Sequence, residues 1–535
     1  MKRFIPRFAS SDHGVERMPL HTTLLLEARA HASNRREVQS GIPFSRLIHF
    51  QTRETAMTWA AEEFAGAQLG DARLNHRLIK LTERFADKPT ASIPGACPDW
   101  SETQGAYRFF DQANNAKRPL KWETVLAPHI ERTAARMRQH RVVLCLQDTT
   151  ELDFNGQSIE GLGPLSYEAQ RGMYLHPTYA VTPEREPLGI TDARMWARTP
   201  KADDGTRAGV RESLRWSEAY ERIGEMAQTL TDTRLVCVGD READIVEMMR
   251  RARDLGHPAD WLIRSKHNRT LPDGSKLWAQ TMEDAPLGEI EFTLAARTAE
   301  AARVVRQQIW ARALNIPDGA GGQLTVTCVV AKETNPPAGC KAVQWHLLTN
   351  RMASDFAEVV EWIDWYRCRW EIETFFNVLK NGCRVEALQL GSVAKLELAL
   401  AVYMLVAWRL ARLVRLGRTH PDLSASALLT EAEWKGRTFW QRKNHRLSHR
   451  PFVKSSGKSP CSAASWAASA MDSPASNPSG LALPGSGILC RVLSICACFR
   501  MQGEVVCKGM GIPPFGGVKT LNKKALTRAR VLRCG

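Results

Sequence analysis

VVLCLQDTT (142–150) is the stretch that decides the fold. Its apolar run is short, rich in β-branched residues and nearly unbroken, as expected of a central strand covered on both faces. The run ends at Asp148. LVCVGDREAD (235–244) repeats the pattern and ends at Asp240. Open α/β sheets keep their chemistry beyond the carboxyl ends of their strands, which is where both carboxylates stand. A lone aspartate after a strand is usually a turn or N-cap residue. Two of them, on two such strands, ask for a third partner.

DWYRCRWEIETFFNVLKNG (364–382) supplies one. As a helix it places Tyr366, Arg369, Glu373 and Lys380 within a stripe roughly 60° wide at about 100° per residue. Trp365, Cys368, Ile372, Phe375, Phe376 and Leu379 gather on the adjoining face, so the stripe follows the edge of a buried surface. Taken alone, it fits a solvated face with an Arg369–Glu373 pair worth a few tenths of a kcal/mol. Taken with Asp148 and Asp240, Glu373 completes an oxygen cluster of the kind that holds a pair of Mg²⁺ ions.

The motifs DREADI (240–245), RSKH (264–267), NPP (335–337) and the spacing Tyr-x2-Arg-x3-Glu-x6-Lys (366–380) resemble the cut-and-paste DDE transposases of the IS-four group. WAAEEFAGAQLGDARLNHRL (59–78) and TQGAYRFFDQ (103–112) match the amino-terminal part of the same family, and the likeness runs from Met57 to Trp434. The resemblance implies an α/β fold: a ribonuclease-H-like catalytic core with a β-rich insertion, preceded by a helical DNA-binding domain. Residues 57–121 would grip the transposon end, and 122–420 would form the catalytic domain, with the insertion at about 255–350. Residues 1–56 read as an upstream extension, with Met57 as initiator. Pattern alone supports only a mixed α/β chain.

The same resemblance implies a mechanism. Asp148, Asp240 and Glu373 would hold two Mg²⁺ ions, with Mn²⁺ able to substitute. A hydrolytic nick at the transposon end would be followed by hairpin formation, hairpin opening and strand transfer. Arg369 and Lys380 would clamp phosphates, one as a fork and one as a point charge. Tyr366 would touch the backbone and Lys266 would add a DNA contact. Trp345 and Trp370 match tryptophans that stack on a flipped base, although either residue type in such a place is more often core. Asn377 stands where relatives often carry lysine, which weakens a phosphate contact but leaves the acidic triad intact.

Charge and composition qualify this picture. The net charge of +16 lies almost wholly after Trp434, where 17 lysines and arginines face only Asp472 and Glu504. DNA binding by the body must therefore rest on local patches, such as Arg73, Arg77, Lys80 and Arg84. The tail (421–535) is atypical: residues 455–487 are rich in Ser, Ala, Pro and Gly, and six of the 13 cysteines fall between Cys461 and Cys534. It stands where the family carries its dimerisation helices, and reads as a shifted coding frame from about Lys435. No C-x2-C pair suggests zinc. LALAVYMLVAW (398–408) is too short to span a bilayer, so a core helix, no membrane partner and a cytoplasmic location are expected. The expected partners are double-stranded DNA with inverted-repeat ends, target DNA and a second copy of the chain. An inert or inhibitory DNA-binding remnant and a structure-specific nuclease remain the alternatives.

Overall fold

The computed structural model describes residues 58–209, 211–294, 302–420 and 519–520. The expected upstream extension, and the tail apart from Lys519–Thr520, lie outside the described residues. Ahead of the sheet run α1 (Trp59–Glu63), α2 (Ala72–Asp87), α3 (Ile93–Ala96), α4 (Trp100–Phe110) and α5 (Trp122–Met137). Thr58, Asp71, Ser92 and Asp99 each cap one of the first four with a side-chain oxygen. Each such bond satisfies an otherwise orphaned amide and stabilises by about 1 kcal/mol. Pro94 sits in the first turn of α3, where its missing N–H costs nothing. The Arg77 guanidinium lies over Gly105, where a Cβ would fall 2.1 Å from Nη1.

The strands are β1 (Val142–Gln147), β2 (Thr150–Asp153), β3 (Gly163–Pro164), β4 (Arg171–Val181), β5 (Pro187–Trp196), β6 (Arg234–Gly239), β7 (Asp260–Arg264), β8 (Gly288–Leu294), β9 (Arg303–Pro317), β10 (Gln323–Glu333), β11 (Gln344–Thr349) and β12 (Lys519–Thr520). They form one sheet in the order β12-β8-β9-β10-β11-β7-β6-β1-β4-β2, with β3 and β5 also pairing β4. Among the described strands only β1–β6 and β6–β7 pair in parallel. The strand at WLIRSK, β7, thus belongs to the centre of the sheet instead of opening the insertion. Strands β8 to β11 extend the same sheet through β11–β7. Arginines and glutamines break up the apolar residues of the 15-residue β9.

Both faces of the central strands are covered, which is why their sequences run apolar without a break. Val143 and Cys145 of β1, with Leu235 and Cys237 of β6, join one core with residues of α6 (Leu214–Thr229), α7 (Val246–Asp254) and α8 (Leu277–Thr281). Leu144, Leu146, Val236 and Val238 join the other core, under α9 (Phe356–Cys368), α10 (Trp370–Asn377) and α11 (Val393–Thr419). Helix α7 does not follow β6 directly. A 3-10 turn, Arg241–Ala243, comes first because Asp240 caps it. Among the described residues no helix is long and apolar enough to cross a membrane.

Candidate active site at the carboxyl edge of the parallel strands

Backbone register brings the strand-end residues together. Leu146 pairs with Val238, so two residues on Asp148 comes beside Asp240. Gly239 pairs with Ile263, so Asp240 comes beside Arg264. Asp148, Asp240 and Arg264 therefore occupy one row across three strands spaced about 4.8 Å apart. Side chains alternate along a strand. Asp148 follows the parity of Leu144 and Leu146, and Asp240 that of Val236 and Val238, so both carboxylates turn toward the face carrying α10.

Glu373 comes to meet them from α10. The single helix expected over 364–382 is a jointed one. At Arg369 the bonding tightens, with Arg369 N donating to Tyr366 O (3.0 Å) and Ile372 N to Arg369 O (3.1 Å). Beyond α10 the chain widens into a π turn, Val378–Gly382. Arg369, only 2% exposed, sits at the joint. Its Nη1 donates to Asp148 Oδ2 at 2.6 Å and lies 3.4 Å from Glu373 Oε1. One guanidinium thus joins a strand end to a helix more than two hundred residues away. Burial pushes the Asp148 carboxyl up to about 8; Arg369 pulls it down, while Glu373 and Asp240 push it further up. Arg369 Nε has no hydrogen-bond partner.

With this geometry in place, comparison with known families is informative. Residues 56–115 match the family model described as transposase DNA-binding, and residues 221–409 match the transposase DDE domain. Both matches are to transposase domains, which supports a DDE transposase. DNA is accordingly its partner, and phosphodiester chemistry of the nuclease and transposase kind its class. Asp240, Arg264, Arg369 and Glu373 lie inside the DDE match; Asp148 lies between the two matched stretches.

The other expected DNA contacts are distributed unevenly. Tyr366 is buried, its hydroxyl beside Arg264 and Arg369 without a well-formed hydrogen bond. Lys380 does not join the Arg369–Glu373 pair. The π turn carries it to Glu386, 3.5 Å away. Lys266 is exposed, and its loop is pinned by Asp244, whose Oδ2 accepts from Lys266 N (2.6 Å) and His267 N (2.9 Å). Trp345, 1% exposed, stacks on Phe292 of β8 with ring centroids 5.7 Å apart, so it is a core residue here and offers no free face to a base. Trp370, at the start of α10, is the half-exposed one of the two. Of the expected basic patch, Arg73 pairs with Asp71, and Lys80 and Arg84 both pair with Glu102.

Sequence reading passed over Arg264. It is 7% exposed, has no carboxylate partner among the described residues, and burial lowers its pKa. An arginine at the end of a third apolar strand, in the row of the two aspartates, was the signal that could have found it. Among the described residues no three acidic, histidine or cysteine side chains form a ready-made metal site. Arg369 stands between Asp148 and Glu373. The donor set nevertheless fits a hard divalent cation. It is all carboxylate, and Asp148 and Glu373 share the one guanidinium of Arg369.

Proposed function

We propose that this chain is a cut-and-paste transposase of the IS-four kind, with a ribonuclease-H-like catalytic domain whose acidic triad is Asp148, Asp240 and Glu373. The observation that carries the reading is that Asp148, in register beside Asp240, shares a single buried guanidinium with Glu373. Magnesium or manganese ions held by these carboxylates would supply Lewis-acid activation of the attacking and leaving oxygens of a phosphodiester.

The remaining chemistry falls to the side chains. Arg369 neutralises Asp148 and Glu373 in the absence of cations. It would exchange those carboxylates for phosphate oxygens once cations and DNA are bound, because a planar fork matches either partner. Arg264, without an acidic partner among the described residues, would take a second phosphate at the same edge. Trp370 is better placed than Trp345 to stack on a base displaced from the duplex. Stacking on Trp345 would need Phe292 to move. Helices α1 to α4 would hold the inverted-repeat end, a second copy of the chain would complete the assembly, and target DNA would receive the freed 3′ ends.

The experiment is a cleavage assay with Mg²⁺ on a fragment carrying the element's own flanking inverted repeats, with Glu373→Ala as control. Hairpin-ended product that disappears in the variant supports the reading. Binding without cleavage by either protein identifies an inert end-binder instead. Cleavage that ignores the repeats identifies a nuclease.

A further inference from the structure

We propose that Arg215 is a positioning residue for the proposed metal site: it sets the separation of Asp148 and Asp240 through Thr149 and Glu242. The inference rests on the reading of those aspartates as metal ligands.

Arg215 lies in the first turn of α6, on the opposite face of the sheet from Glu373, and is 8% exposed. Its Nε donates to Thr149 Oγ1 at 3.0 Å, and its Nη2 to Glu242 Oε2 at 2.6 Å. A third bond, from Nη1 to the Glu212 carbonyl at 2.7 Å, fixes the plane of the group. Thr149 follows Asp148, and its amide donates to the Asp148 carboxylate at 2.8 Å. The amide of Glu242 donates to Asp240 Oδ1 at 2.7 Å. One rigid fork therefore reaches the residue behind each aspartate, spanning the ends of β1 and β6 from the rear.

The threonine end of this span is itself locked. Arginine can only donate, so the Thr149 oxygen accepts from it, and the same oxygen lies within hydrogen-bond distance of His176 Nδ1 at 2.9 Å. Burial lowers the His176 pKa. The Trp216 ring meets the imidazole edge-on at 4.6 Å, and Arg215 also lies over Trp196, 5.6 Å from its centroid. The glutamate end is different. The Glu242 side chain is 58% exposed, so its orientation depends on Arg215 rather than on packing. A lysine, with a compact ammonium, could not hold both ends in one fixed geometry.

The test measures Mn²⁺ binding to the full-length protein without DNA, by the electron paramagnetic resonance signal of the free ion. Wild type is compared with Arg215→Met, Glu242→Ala, the double variant and Arg215→Lys. Each single variant is expected to weaken binding about tenfold, as for other groups that orient metal ligands from behind. The double variant should lose no more than either single one, and Arg215→Lys should recover only part. Glu242→Ala removes an exposed side chain, so it reports even if Arg215→Met does not fold. Equal Mn²⁺ affinity in wild type and Glu242→Ala, or additive losses in the double variant, would overturn the role of Arg215 while sparing the site. A wild-type protein that binds no Mn²⁺ would overturn the metal reading itself, and this inference with it.

Discussion

Glu63 and Asp148 are both carboxylates held by an arginine in poorly solvated surroundings, yet their protons behave oppositely. Glu63, on α1, receives both Nη groups of Arg136 (3.0 and 2.8 Å) and the Nδ1 of His129 (2.6 Å). His129 Nε2 accepts from Ile190 N, so its proton sits on Nδ1 and points at Glu63. Burial raises the Glu63 pKa, but these partners overcome it and bring it down to about 2. Asp148 shares its one guanidinium with Glu373, has Asp240 beside it, and goes up to about 8. The difference is the number of donors per carboxylate. A saturated cluster is a structural rivet joining α1, α5 and β5, whereas an undersupplied one keeps an appetite for cations.

The sharpest way to break this contrast is to remove one acid from each cluster. Glu373→Gln should lower end cleavage about a thousandfold or more, about 4 kcal/mol at the barrier, and leave thermal stability unchanged or higher. A stability loss there would make Glu373 a structural residue. Glu63→Ala should do the reverse, costing about 3–4 kcal/mol in urea denaturation because Arg136 loses its acid. An unchanged midpoint would remove Glu63 from the structural class.

Acid titration separates the clusters further. The folded-state pKa of Glu63 lies below its ordinary value, so its contribution is complete above about pH 4.5 and is lost as pH falls toward 2. Burial also lowers the His129 pKa, which adds a loss of stability below its ordinary value of 6.5. Denaturation midpoints should therefore fall between pH 4.5 and 2 by about 3 kcal/mol, and Glu63→Gln should abolish most of that fall. Divalent ions address the other cluster. Mn²⁺ at about a hundred times its dissociation constant should stabilise wild type by about 2.7 kcal/mol and Asp148→Asn hardly at all. The smallest effect concerns the unpaired arginine: Arg264→Ala should weaken DNA binding by about 1–2 kcal/mol and shallow its salt dependence by about one ion. Binding with an unchanged salt slope would mean that Arg264 touches no phosphate.

What could be read in the sequence follows from how local each signal is. The strands carrying Asp148 and Asp240 were legible because burial on two faces leaves an unbroken apolar run. Glu373 and Arg369 were legible as a pair because four residues make one helical turn. The joint at Arg369 and the π turn that diverts Lys380 leave no such local mark. Trp345 is hidden by Phe292, a residue on another strand, which no spacing within QWHLLT could reveal. Arg215 and Arg264 acquire their places only through pairing registers, and registers belong to the sheet, not to any one segment of chain.

That last point bears on how such a protein tolerates change. The row of Asp148, Asp240 and Arg264 is set by rungs of backbone hydrogen bonds, and of the long connections between the three strands only the stretch carrying Arg215 reaches back to it. Insertions and deletions in the turn around Gly205, where a Cβ would meet nothing, can accumulate without moving a carboxylate. A single residue added within β6 would instead turn Asp240 to the opposite face of the sheet. Over evolutionary time the loops are free to drift, while the ladder acts as the ruler against which the site is kept.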